Sequence, residues 1–237
     1  MEKNVNHNKH KRIPRAQDNL EVEVWNRGCL VCGIDEVGRG CLAGPVVTSA
    51  VVLYAGKRFS LLKDSKLLSM EERVRAARWI KKNSWYAYGI VSHQEIDRYN
   101  IYQATMRAMK RATLHVVSQL SQWPNRIIVD AMPLIFAQSP LKDIELLHFT
   151  GAEQKSISVA AASILAKVKR DELMKAYGRI FPGYALAKHK GYATMSHRTL
   201  IGKEGRSIIH RVTFLKNFEK KGQEVYEEQI SLFSGGD

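Results

Sequence analysis

Two neighbouring carboxylates at the end of an apolar run, Asp35 and Glu36 in Gly33-Ile34-Asp35-Glu36-Val37-Gly38-Arg39-Gly40, are the residues best placed to do chemistry. A carboxylate in a hydrophobic strand is costly without a partner, so Asp35 must be hydrogen-bonded, paired or bound to a cation. Two readings follow from the residues alone: acids capping nearby backbone amides, or ligands for a hard cation. Neighbouring strand side chains point to opposite faces, so the pair serves one site only where the strand ends. Gly38 and Gly40 supply that break. Glycines also let backbone amides approach a ligand closely, which suits the Gly-Arg-Gly turn to a sugar or phosphate.

The elements that must position these residues are readable in outline. Cys29 to Val37 and Val46 to Tyr54 are β-branched and apolar, and read as adjacent strands. Ser69 with Glu72 forms a capping box that starts a helix through about Lys82, and Trp85 to Val91 reads as a third strand. Ile101 to Leu120 has a helical apolar stripe. Arg126 to Asp130 and Ile144 to Phe149 are of strand length around a Pro-containing loop, and Ser158 to Tyr177 reads as a strong helix. The fold class is α/β, with one main domain at 237 residues. Residues 1–27 read as a basic, flexible arm, and the stretch from 216 to 237 as a charged tail.

Lysine and arginine outnumber aspartate and glutamate by 37 to 23, for a formal charge of +14. With a pI near 9.7, that balance favours a polyanionic partner, nucleic acid first among them. No apolar run approaches the ~18 residues of a membrane span. Residues 3–15 are polar and basic where a secretion signal needs its apolar core, so a cytoplasmic protein is expected. Cys29, Cys32 and Cys41 are too few for a disulfide framework. The Cys29/Cys32 pair resembles half a zinc site but has no second pair at metal spacing, and reads as core. The histidines, His189 and His210 included, show no HExxH-like spacing.

The string GIDEVGRGCLAGPVV resembles the opening motif of the ribonuclease HII family. Further matches follow in order: DSKLLS (64–69), EID with ATMRAM (95–109), VDA (129–131), KSISVAAASILAKVKRD (155–171) and HKGY (189–192). The resemblance runs from about residue 28 to 215 and implies a catalytic domain of that extent. It implies the ribonuclease H fold, a five-stranded mixed sheet flanked by helices, with a small helical C-terminal region. Its acids would converge on divalent metals, Mg2+ or Mn2+, with Asp35, Glu36 and Asp130 as three of them. Read alone, Asp130 is more often a turn residue, although an acid capping the RIIV strand is also the complement Asp35 needs.

The fourth acid of the family is usually Asp; here the aligned residue is Glu153, in Ala152-Glu153-Gln154-Lys155-Ser156. Glu153 keeps the charge but adds a methylene, and a helix-entry acid favoured by the dipole is the alternative. Asp64 reads as a turn residue, and Asp171 as the partner of a neighbouring helix charge. The resemblance implies endonucleolytic hydrolysis of the RNA-containing strand of RNA–DNA hybrids by two-metal-ion catalysis. The cut would fall 5′ to ribonucleotides embedded in duplex DNA and leave 5′-phosphate and 3′-hydroxyl ends, as in DNA repair or replication. The backbone of Gly38, Arg39 and Gly40 would approach the 2′-hydroxyl, which distinguishes RNA from DNA locally. Tyr192 would stack on the neighbouring deoxyribose, and Lys66 and Asn100 would contact flanking phosphates. A monomer without membrane contact is expected. The rivals are a ribonuclease HIII-like enzyme, which would carry an extra N-terminal substrate-binding domain, and a catalytically silent hybrid-binding protein.

Overall fold

A computed structural model describes residues 15–136, 141 and 144–216. Five strands, β1 (Val31–Val37), β2 (Val46–Leu53), β3 (Ser84–Val91), β4 (Arg126–Asp130) and β5 (Glu145–Phe149), form one sheet in the order β3-β2-β1-β4-β5. The β1-β2 and β2-β3 pairs are antiparallel, whereas β1-β4 and β4-β5 are parallel. The helices are α1 (Asn19–Trp25), α2 (Met70–Lys82), α3 (His93–Val117), α4 (Ala152–Lys155), α5 (Ile157–Ile180), α6 (Leu186–His189) and α7 (Met195–Glu204). This is the expected ribonuclease H-like arrangement, and α6 and α7 form its small helical C-terminal region.

Strand β2 is buried along its whole length because both faces of the sheet are covered. Val51 and Leu53 pack with α2 and α5, while Ala50 and Val52 face the α3 side. A strand covered twice reads as a continuous apolar run, as VVTSAVVL does. Helix α5 comes unusually close to β1 at Gly33, where any Cβ would collide with the Ser158 backbone. That approach carries Ser163 and Lys167 to the C-terminal end of β1.

Two expectations need correction. The N-terminal arm ends sooner than residue 27: Asn19–Trp25 is helical, with Glu21, Val24 and Trp25 buried. Glu21 reaches the start of α5, bonding the Ser156 hydroxyl and accepting from Ser158 N at 3.0 Å. Arg126 adds ion pairs to Glu23 (3.1 Å) and Glu145 (2.7 Å). This short amphipathic segment is not legible in the sequence because its inward-facing polar residue, Glu21, breaks the apolar pattern. Residues 1–14 and nearly all of the expected tail, 217–237, lie outside the described residues.

The long helix also begins earlier than expected. Ser92 and Glu95 form a capping box, so α3 starts at His93, and a break at Asn100 (φ 63°, ψ 165°) separates its first turns from the stripe that begins at Ile101. Among the described residues no helix is long and apolar enough to cross a membrane.

Candidate active site

Parallel pairing of β1 with β4 sets Ile34 beside Val129, so the next residue on each strand, Asp35 and Asp130, emerges at the same end of the sheet. Strand β1 ends at Val37, one residue beyond Glu36. Asp35, Glu36, Asp130 and Glu153 line one cavity of about 530 Å3, together with Lys66 and Tyr192. Glu153 arrives from the far side of β5: Gly151 (φ 76°) turns the chain into α4, and Ala152 N donates to Asp130 Oδ1 at 2.9 Å. Asp130 thus does in part what a strand-end acid does by default, capping an amide, and in doing so ties the Glu153 turn to β4.

Two of the acids are buried, Glu36 and Asp130 are half-buried, and the set is poorly compensated. Asp35 is 7% and Glu153 8% exposed. Asp35 Oδ1 accepts from Glu36 N at 2.7 Å, and Ser163 hydrogen-bonds the same carboxyl. Even so, burial, with the charges of Glu36 and Asp130, holds Asp35 well above the usual carboxylate range. Burial and Asp130 also raise Glu36, against the opposing pull of Arg39, whose guanidinium lies 3.4 Å away. Glu153 is raised by burial, then by Asp130 and Asp64. Glu36 Oε2 and Glu153 Oε2 are buried with no hydrogen-bond partner among the described residues. Orphaned carboxylate oxygens and mutually repelling acids are the donor set that a hard divalent cation satisfies. The residues fit such an ion, although among the described residues no three of them already form a ready-made cage.

Other expected positions fall around this cavity. Tyr192 is 37% exposed, with Lys167 Nζ 5.5 Å and the Arg170 guanidinium 5.6 Å from its ring centroid. Gly38, Arg39 and Gly40 follow β1 directly, and the backbone at Gly38 has φ 98°. A Cβ there would collide with Arg170 Nε, so only glycine fits. Asn100 is not part of the cavity lining; its side chain caps the second part of α3 by accepting from Gln103 N at 3.0 Å. Asp171 pairs with Lys167 at 2.8 Å, and Asp64 accepts from Lys66 N at 2.9 Å, as helix partner and turn residue respectively. Cys32 is fully buried, and burial pushes its thiol up to about 12, which is core behaviour.

Sequence reasoning missed Ser65, Arg73, Ser163 and Lys167, which complete the lining. Ser65 and Ser163 hydroxyls meet at 2.9 Å, and Arg73 donates to Ser65 O at 3.0 Å. The available signal was spacing: Ser163 and Lys167 stand four apart on a helix whose neighbouring positions are alanine, isoleucine and leucine.

Comparison with known proteins places the chain's sequence and fold beside one family. The family model described as Ribonuclease HII matches residues 32–220. Ribonuclease HII of Clostridioides difficile is 44% identical over 200 residues, 84% of this chain and 75% of the relative. Ribonuclease HII of Thermus thermophilus is 42% identical over 200 residues, covering 84% and 93%. Among solved structures, the PCNA:RNase HII complex from Archaeoglobus fulgidus superposes with a TM-score of 0.62 at 25% identity, covering 77% of this chain and 94% of that one. Ribonuclease H2 from Pyrococcus horikoshii gives 0.63 at 23% identity, covering 81% and 98%, which speaks for the fold.

Proposed function

This chain belongs to the ribonuclease HII family and is a ribonuclease H enzyme acting on RNA–DNA hybrids; from that premise we propose that it cuts 5′ to ribonucleotides embedded in duplex DNA, leaving 5′-phosphate and 3′-hydroxyl ends. The catalytic unit is residues 28–215. The observation that carries this reading is the convergence of Asp35, Glu36, Asp130 and Glu153 on one cavity, two of them with unpartnered buried oxygens.

The four acids would hold two divalent cations, Mg2+ or Mn2+. Held by these residues, the ions would supply Lewis-acid activation of a water and charge stabilisation at the leaving oxygen. The chain's own residues do the rest. Ser163 and the Glu36 amide hold one orientation of the Asp35 carboxylate. Asp130 fixes the Glu153 turn. Lys66 and Lys167 put positive charge on the cavity wall, which offsets the repulsion a phosphodiester would meet from the four carboxylates. The Gly38–Gly40 backbone approaches the 2′-hydroxyl, and Tyr192 packs on the next sugar. Asn100 meets a flanking phosphate from outside the cavity.

The test is to incubate the protein, with Mg2+ or Mn2+, with a DNA duplex carrying one ribonucleotide and with an RNA–DNA hybrid. Cleavage immediately 5′ to the single ribonucleotide is the expected result. Cleavage only within ribonucleotide runs indicates a ribonuclease HIII-like activity, and binding without cleavage indicates a silent hybrid-binding protein.

A protein partner is a second reading, because the similar Archaeoglobus structure is a complex with PCNA. Ile230, Leu232 and Phe233, set in the otherwise mainly polar stretch 219–237, have the composition of a docking anchor. Deleting residues 229–237 should abolish binding of a PCNA-like protein and leave cleavage unchanged; undiminished binding rejects that anchor.

A further inference from the structure

Two arginines, Arg170 on α5 and Arg211 after α7, are fully buried. Neither has an ion-pair partner among the described residues; backbone carbonyls satisfy both. Arg211 donates to Arg39 O at 2.7 Å, to Gly38 O at 2.6 Å and to Gly44 O at 2.9 and 3.1 Å. Arg170 donates to Pro45 O at 3.0 Å, Ala43 O at 3.2 Å and Lys190 O at 2.8 Å. Burying a guanidinium against neutral acceptors alone is expensive, so the arrangement calls for a reason other than stability.

The geometry supplies one. In a planar trans peptide the C=O and N–H point in opposite directions. Arg211 holds the carbonyls of Gly38 and Arg39 inward, so the amides of Arg39 and Gly40 face outward. Neither amide has a hydrogen-bond acceptor among the described residues, and Gly40 is exposed with open space around it.

The Tyr192 loop is fixed from the same segment. Residues 41–44 run between 191–192 and 209–211, bridged at Cys41 with Tyr192 and at Ala43 with His210. Leu42 N donates to Gly191 O at 2.8 Å, and Arg211 N to Leu42 O at 2.8 Å. A chain of buried histidines completes the link. Ser207 N donates to His210 Nδ1 at 2.9 Å, leaving a proton on Nε2 to donate to His197 Nε2 at 3.1 Å. The proton of His197 is then on Nδ1, where Tyr192 O accepts it at 2.9 Å.

We propose that Arg211 is a specificity-determining positioning residue, which aims the Arg39 and Gly40 amides at the 2′-oxygen and, through its neighbour His210 and His197, registers them against Tyr192. This inference rests on the proposed reading of residues 38–40 and 192. Arg211 touches no reacting atom; it acts by orienting two peptide groups. Lysine in its place keeps the charge but cannot span three carbonyls from one planar fork.

The experiment measures discrimination at equilibrium. In an Asp35→Asn background with Mg2+, affinity is compared for two duplexes identical except that one carries a single ribonucleotide. The parent should prefer the ribonucleotide duplex, and adding Arg211→Lys should shrink that preference about tenfold, the worth of one to two hydrogen bonds, with all-DNA affinity unchanged. An unchanged ratio, or equal loss on both duplexes, overturns the proposal. A parent with no preference refutes the underlying reading of the loop instead. A second measurement does not depend on the variant folding: in the Asp35→Asn protein the ribonucleotide duplex, and not the all-DNA duplex, should protect the Arg39 and Gly40 amides from hydrogen exchange. Equal protection by both, or none, overturns the proposal independently.

Discussion

The acid cavity and the arch formed by residues 38–45, 190–192 and 209–211 are adjacent and opposite in design. In the cavity, carboxylates are crowded, two of their oxygens are unpartnered among the described residues, and Asp35, Glu36 and Glu153 hold their protons more tightly than usual. Around the arch, the buried Arg170 and Arg211 are each held by backbone carbonyls, and His189, His197 and His210 have both ring nitrogens committed. An unsatisfied cluster has binding energy in reserve for an incoming ion, while a satisfied one is rigid and can set distances. On the proposed reading, cutting falls to the first and recognition of the ribonucleotide to the second.

The sharpest way to break this division is to strike one side and watch the other. Asp35→Asn should reduce cleavage to background while hybrid binding stays largely intact; gel-shift and cleavage assays on one preparation decide it, and wild-type turnover would remove Asp35 from the site. Gly38→Ala strikes the arch. The positive φ and the collision with Arg170 should cost roughly 1–3 kcal/mol of stability and lower cleavage about a hundredfold by misplacing the loop, as read by thermal melting and single-turnover rates. Glu153→Asp should keep or improve activity if the side chain is a ligand, whereas Glu153→Ala loses it; equal losses would mean that the turn is built around the longer residue.

The smallest effect is a pH dependence of stability. Burial, reinforced by His197, lowers His210 to about 4 in the fold, against an ordinary value near 6.5 when unfolded. The unfolded chain therefore takes up the proton first. The contribution of His210 is complete above about pH 6.5 and is lost as pH falls toward 4. Melting temperature against pH should slope less steeply over that window in His210→Gln; an unchanged slope would disconnect His210 from the buried chain.

The part of the protein legible in the sequence is the part governed by period and capping. Runs such as RIIVD fall where expected because a doubly covered sheet needs continuous apolar strands. The Ser69–Glu72 box marks a real helix start, and the same signature at Ser92–Glu95 marks another. What was not legible depends on contacts distant in sequence. Glu21 reads as a surface acid until it is seen at the α5 N-terminus. Ser163 and Arg211 read as ordinary polar residues, because nothing local states that one meets Asp35 and the other Gly38. Asp35, Glu36 and the Gly-Arg-Gly turn are legible because an acid pair within an apolar strand is a local anomaly, whereas Glu153 is legible only through the family resemblance.

The most direct test of the account is to soak crystals of the protein in Mn2+ and locate the ion by its anomalous scattering. The account predicts density in contact with Asp35, Glu36 and Asp130, with Glu153 on the same cluster. Density only elsewhere, or none at a concentration that supports cleavage, would contradict it.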